Sequence, residues 1–426
     1  MKKITSVLIA FTLVACQATV ADTKPASASD SLSATAESVG FSPKRLERIS
    51  TVMQDYIDKG KLAGTLTLVA RNGKIAYLNA QGMMDKEASK PMAEDAIFRI
   101  YSMSKPVTSV AAMTLWEQGK FHMHDPVAKY LPELANLKVY VSGSGDNMVV
   151  EDTKTTMRVI DLFTHTAGFS YGFGNSEVDK LYQKLQADPN ALTRENMLSK
   201  LAEIPLVHQP GTAWNYGVNT DVLGFLVERL SGKKLGDYMQ EILFTPLGMK
   251  DTGFFVSEEK LHRLAQLYTA NPKTGETVVM PNALLSNFKS DPEIHNAGGG
   301  LVSTMQDYFT FAQMMLNEGE INGVRILGRK TVEYMRSNHL PENLIPYGND
   351  ALGEGYGLAM SVTVDTGQLG YMGSKGNFGW GGAASTYFRV DPQEKIVLIA
   401  MTQFMPIGFH RYHDDFRNLV YQALVD

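Results

Sequence analysis

The strand signals of this chain sit at its two ends, and that placement constrains the fold more than any other feature. Near the start, residues 63–70 and 74–80 flank Asn72-Gly73. Both of those residues tolerate the positive φ of a type I′ turn, so the pair is a strong hairpin signal. Near the end, residues 357–364, 383–390 and 395–402 are short and carry β-branched and aromatic side chains, with Asp391-Pro392 marking a turn. Residues 107–290 between them read mainly as helix and loop. A polar hairpin-like excursion at 139–150 turns on Ser142-Gly143-Ser144-Gly145. The expected class is α+β: an antiparallel sheet formed from both chain ends, flanked by helices, with a large helical lobe inserted and a cleft between the two.

A helix is expected at each edge of that arrangement. Ser42 as N-cap and Pro43 at the first position open one, and Leu46, Ile49, Val52, Met53, Tyr56 and Ile57 follow at helical spacing. A closing helix over about 412–425 places Phe416, Leu419, Val420 and Ala423 on one face. The 426 residues, 44% hydrophobic, suffice for one large or two modest cores. A net charge of −5 gives no basic surface for nucleic acid.

Residues 1–15 pair Lys2 and Lys3 with an apolar run from Val7 to Val14, the pattern of a secretory signal that is too short to span a bilayer. Cys16, the single cysteine, follows Leu13-Val14-Ala15. This resembles the lipobox of bacterial lipoproteins, which implies cleavage before Cys16 and a membrane lipid anchor on it. Gln17, where an inner-membrane retention aspartate would stand, favours the outer membrane on its periplasmic side. The alternative is an ordinary signal cut near Ala21 and a soluble periplasmic protein. One cysteine excludes internal disulfides. Residues 16–40, rich in Ala, Ser, Thr and Asp, read as a flexible tether reaching about 25–30 Å.

Chemistry concentrates at Ser102-Met103-Ser104-Lys105, where an extended segment (96–100) meets an apolar run (107–116) that reads as helix. Serine and lysine one helical turn apart share a face. The hydroxyl becomes a nucleophile when a neighbouring base takes its proton, and a lysine amine held neutral can be that base. The helix start favours the oxyanion of acyl transfer. The same spacing recurs at Ser231/Lys234, Ser257/Lys260 and Ser286/Lys289, but the first reads as a helix end, the second as an N-cap and the third as polar loop.

Two further segments complete a candidate site. Tyr216, in Trp214-Asn215-Tyr216-Gly217-Val218 before a helix, offers a phenol to share the proton with Lys105. Phe378-Gly379-Trp380-Gly381-Gly382-Ala383 lets the backbone approach a ligand, and the N–H groups of Ala383 and Ser102 are expected to form an oxyanion hole. Trp380, Gly381 and Gly382 are expected to touch substrate, and Tyr171 and Phe173 to line its acyl pocket.

In this order these elements resemble the serine beta-lactamase and DD-peptidase superfamily, with class C and above all the family VIII carboxylesterases most similar. The resemblance covers residues 41–425 and includes the landmarks Leu162-Phe163-Thr164-His165-Thr166-Ala167-Gly168, Ala297-Gly298-Gly299-Gly300-Leu301-Val302-Ser303-Thr304 and Tyr387-Phe388-Arg389-Val390-Asp391-Pro392. It implies Ser102 as nucleophile, Lys105 as base, Tyr216 as proton-sharing partner and no metal or organic cofactor. Two departures bear on substrate. Tyr216-Gly217-Val218 lacks the asparagine of the class C Tyr-x-Asn motif, and Trp380-Gly381-Gly382 replaces Lys-Thr-Gly, whose lysine attracts a carboxylate. Loss of that cation costs an anionic ligand roughly 1.5–3 kcal/mol. Small neutral esters are therefore expected over carboxylated lactams, with weak lactam cleavage as a side activity. Lys375, five residues upstream, is the cation that a different loop path would bring to that position.

Other readings have defined signatures. Gly168-Phe169-Ser170-Tyr171-Gly172 fits the G-x-S-x-G elbow but lacks the strand that an elbow needs before its serine. His122/His124 and His410/His413 have no third ligand at metal-site spacing, and His165 reads as a loop-holding residue. A class C-like beta-lactamase or DD-peptidase, an acyltransferase using the same acyl-enzyme, and a non-catalytic peptidoglycan-binding module are the alternatives to an esterase.

Overall fold

The computed structural model describes residues 32–187, 192–281, 288–348 and 351–426. Asn72 (φ 54°) and Gly73 (φ 75°) make the tight turn joining strands Gly64–Arg71 and Lys74–Asp85. The first pairs with Ile396–Met401, near the other end of the chain, with Val69 opposite Leu398. That one pairing closes the sheet. Its order is Glu354–Tyr356, Ser361–Thr363, Phe378–Gly381, Tyr387–Asp391, Ile396–Met401, Gly64–Arg71, Lys74–Asp85 and Lys90–Pro91. Every neighbouring pair is antiparallel. All six residues of Ile396–Met401 are buried, because helices cover both faces.

One face carries the terminal helices Pro43–Asp58 and Tyr412–Tyr421, with Leu46, Ile49, Met53, Phe416 and Val420 packed over Leu398 and Ala400. The other face carries helix Met305–Leu316 and merges with the helical part of the chain into one apolar core around helix Ser104–Glu117. That helix is buried from Ser104 through Leu115 on every side, so its apolar composition shows no amphipathic stripe.

Four local expectations change. The tether does not extend to residue 40. Ala36, Val39 and Phe41 are buried against the sheet and the C-terminal helix, and Ala34 N–H donates to Ile75 O at 3.0 Å. Three scattered apolar side chains suffice to dock a segment that has no periodicity. Ser42 precedes its helix without a side-chain capping bond, and its N–H bonds Ala423 O instead. The expected strand at 357–364 is a hairpin, Glu354–Tyr356 with Ser361–Thr363, whose turn places Ala359 at φ 65°. The expected strand at 383–390 begins only at Tyr387, and the glycine-rich Phe378–Gly381 before it is itself a strand. Its glycines answer to close packing, since a Cβ on Gly379 would stand 2.1 Å from Phe388 O. Packing here overrides the low strand propensity of glycine.

The central region has the expected hairpin, Lys138–Ser142 with Val149–Asp152, and small strands at Tyr268–Ala270 and Thr277–Val279. No helix among the described residues is long and apolar enough to cross a membrane. Cys16 and Ser286 lie outside the described residues.

Candidate active site

Strand Ile97–Arg99 ends in a sharp turn with Tyr101 at φ 41°, a strained conformation for a tyrosine. A short 3-10 turn, Tyr101–Met103, then leads into the buried helix. Ser102 thus stands half-buried at a cavity wall, while Lys105, one turn on, is 1% exposed. Lys105 Nζ lies 3.2 Å from Ser102 Oγ and donates to Gly298 O at 2.6 Å. Tyr216, in the loop before helix Asn219–Ser231, donates its hydroxyl to Ser102 Oγ at 2.7 Å. Three residues from two distant parts of the chain meet at one oxygen.

The rings of Tyr216 and Tyr171 flank the Lys105 side-chain nitrogen, with centroids 4.6 and 5.1 Å from Nζ. Tyr171 donates to Asp221 Oδ2 at 3.1 Å, and Asp221 Oδ1 accepts the Gly298 N–H at 3.0 Å. Asp221 therefore fixes both the carbonyl and one of the rings that hold Lys105. Burial raises its pKa, and the Lys105 charge opposes that rise. Burial and the neighbouring Asp221 push the Tyr171 phenol well above its ordinary value, so it stays a donor. The sequence reading did not find Asp221. Its partner lies 77 residues away, and no local pattern marks it. Glycine at 298 lets the backbone and Tyr171 approach, since a Cβ there would lie 2.4 Å from Tyr171 Oη and displace that ring.

His165 is buried at φ 56°, with Nδ1 2.9 Å from Asn219 Nδ2 and its ring 4.7 Å from that of Tyr216. Burial, and then the Lys105 charge, hold its pKa well below 6.5. The imidazole is a neutral brace for the Tyr216 loop.

The Phe378–Gly381 strand brings Trp380 to the same cavity, where its indole N–H points at Tyr216 Oη (3.4 Å). The turn after it lies against the residues preceding the nucleophile: a Cβ on Gly382 would meet Ile100 O at 2.3 Å, and Thr386 Oγ1 donates to that oxygen at 3.3 Å. Ala383 and Gly381 line the cavity beside Ser102. Tyr171 is half-buried in its wall, whereas Phe173, 81% exposed and stacked on Tyr171 at 5.2 Å, stands at its mouth. The cavity measures about 720 Å³.

Other candidates fall elsewhere. Ser170 Oγ donates to Asp179 and accepts from Gly172 N–H, with no strand before it. Ser231 ends a helix at Gly232 (φ 70°), and Ser257 precedes a 3-10 turn. Lys375 is exposed and does not line the cavity. Among the described residues no group of three or more His, Cys, Asp or Glu is placed to hold a metal.

The model of the beta-lactamase family matches residues 49–422, nearly the whole described chain. The chain belongs to the beta-lactamase family. Within it, the protein is 35% identical to an uncharacterized protein of Mycobacterium tuberculosis, over 83% of this chain and 89% of the relative. It is 32% identical to Esterase EstB of Burkholderia gladioli over 50% of this chain and 52% of that protein. The solved structure of EstCE1, described as a hydrolase with promiscuous acyltransferase activity, superposes with a TM-score of 0.77 at 27% identity, covering 89% of this chain and 99% of that one. These likenesses support a serine hydrolase or acyl-transferring enzyme of the beta-lactamase fold.

Proposed function

We propose that the protein cleaves carboxylic esters that are small and uncharged beside the scissile bond, through an acyl-enzyme on Ser102. The observation that carries this reading is the convergence of Lys105 Nζ (3.2 Å) and Tyr216 Oη (2.7 Å) on Ser102 Oγ inside one cavity. Ser102 Oγ attacks the ester carbonyl carbon as its proton passes to the Lys105 amine. The tetrahedral oxyanion takes hydrogen bonds from the N–H groups of Ser102 and Ala383. Tyr216, resupplied by Lys105, protonates the departing alkoxide. Water then gives its proton to the same pair and attacks the acyl carbon; the acyl–Oγ bond breaks, Ser102 Oγ takes that proton back, and the acid leaves.

Trp380 supports the ester over the lactam. It sets an indole, rather than an ammonium, against Tyr216 where a lactam carboxylate would need a cation. Acyl transfer shares every step up to the acyl-enzyme and differs in whether water or an alcohol resolves it.

The test compares kcat/KM on p-nitrophenyl esters, nitrocefin and a D-Ala-D-Ala peptide for wild type and Trp380→Lys. Esters are expected to lead in wild type. The variant should gain about tenfold or more in its nitrocefin-to-ester ratio. Lactam or peptide turnover above ester turnover in wild type would reverse the ranking. Added alcohol that diverts product from acid to new ester identifies transfer.

A further inference from the structure

We infer that the same cavity holds a second recognition point: a carboxylate-binding subsite built on Arg417, beyond Trp380. The substrate would then carry an anionic group remote from its ester. This rests on the ester-cleaving role of Ser102 and extends it to substrate class.

Arg417, on the C-terminal helix, is 4% exposed and lines the cavity that Ser102 opens into. Arg389, from strand Tyr387–Asp391, lies at the same end, and the carboxylate between them is Glu354. That carboxylate is already occupied. It accepts from Arg389 Nη2, from Tyr371 Oη at 2.7 Å and from Tyr347 Oη at 3.3 Å. Asp391 is occupied too, by Tyr421 Oη at 2.6 Å and the N–H groups of Gln393 and Glu394. Asp414, at the same end, faces Arg411 at 3.4 Å. Arg417 donates to the Tyr387 hydroxyl through Nη2, while Nε and Nη1 have no partner. Among the described residues it makes no ion pair. Two buried guanidinium groups thus share one saturated carboxylate.

A buried cation that must share its counter-charge is costly, and proteins pair such groups or leave the partner to a ligand. The Tyr371 ring, 3.5 Å over the guanidinium, offsets part of that cost and covers it. Tyr371 is half-buried and belongs to the loop between strands Ser361–Thr363 and Phe378–Gly381. A ligand carboxylate reaching the two free donors would have to displace that phenol from Glu354. The same cavity is lined from Ser102 to Arg417 by side chains in contact: Tyr216 meets Trp380 (ring centroids 5.9 Å apart), Trp380 meets Tyr347 (6.2 Å), and Tyr347 reaches Glu354. The indole of Trp380, standing against Tyr216, offers no charge to an anion near the ester, and Arg417 admits one at the far end. Charge-assisted hydrogen bonds from arginine suit a carboxylate.

The test uses the full chain and reads a ratio. It compares kcat/KM for the p-nitrophenyl half-ester of adipic acid with that for its methyl-capped counterpart. A second pair, 4-acetoxybutanoate and its methyl ester, puts the charge on the alcohol side. Wild type is expected to favour the anion about tenfold or more in one pair. Arg417→Met should bring that ratio to about one, and Arg417→Lys should restore part of it. Calorimetric binding of adipate to Ser102→Ala protein, lost when Arg417→Met is added, reads the subsite without turnover. Adipate binding without any ester turnover would refute the ester reading and leave the subsite standing. Ester turnover with both wild-type ratios near one and no adipate binding overturns the subsite, as does an Arg417→Met variant that lowers both esters equally. Should Arg417→Met not fold, the wild-type ratios, adipate binding and Arg417→Lys decide.

Discussion

Lys105 Nζ is closer to Gly298 O, at 2.6 Å, than to Ser102 Oγ, at 3.2 Å. The proposed base is held by a main-chain carbonyl 193 residues further on, and the N–H of that same glycine is held in turn by Asp221. The proposed reactivity therefore depends on a glycine remote from the serine in sequence.

Gly298→Ala is expected to lower kcat about 10- to 100-fold, because its methyl group would meet Tyr171 Oη at 2.4 Å and Asp221 Oδ2 at 2.7 Å and shift the lysine from its partner. Stopped-flow acylation with a p-nitrophenyl ester measures it. A variant that acylates at the wild-type rate would detach this peptide from the chemistry.

Ser102→Ala is expected to lose about 10⁴-fold or more of ester turnover and all labelling by a fluorophosphonate probe. Ser170→Ala, whose hydroxyl is engaged with Asp179, should keep its labelling. Loss of labelling in the second variant alone would transfer the nucleophile to Ser170.

Acid should loosen the site through His165. Its imidazole stays neutral in the fold because burial holds the pKa well below 6.5, whereas the unfolded chain takes up a proton below about 6.5. The unfolded state then binds more protons, so stability contributed above that pH is lost as pH falls. Thermal melts from pH 7.5 to 5 should show a falling Tm in wild type and a shallower fall in His165→Asn. Parallel slopes would contradict the neutral imidazole.

The proposed lipid anchor predicts that membrane-fraction protein carries acyl mass on Cys16, that globomycin blocks its processing, and that Cys16→Ser releases it from the membrane fraction. Mass spectrometry of the mature N-terminus is the measurement. An unmodified N-terminus near residue 22 would leave only the ordinary signal peptide.

Local patterns were legible where local geometry decides the outcome. Asn72-Gly73 announced its hairpin through backbone sterics, and the helix after Ser102 was readable from its uninterrupted apolar run. Strand Phe378–Gly381 was not, because glycines give no strand signal and only the close approach of the Tyr387–Asp391 strand makes them necessary. The docking of residues 32–40 was missed for a similar reason, since Ala36, Val39 and Phe41 find their partners at the far end of the chain.

Sequence by itself determined that Ser102 and Lys105 meet, since a serine and a lysine three positions apart at a helix start share a face wherever that helix goes. It also determined the family, through motifs in a fixed order. Only the tertiary structure decided what surrounds that pair: the Gly298 carbonyl on the amine, Asp221 behind it, and Arg417 with two unsatisfied donors at the far end of the cavity. Those partners are separated by tens to hundreds of residues. Their encounter is fixed by closure of the sheet and burial of the core, which no short stretch of chain encodes.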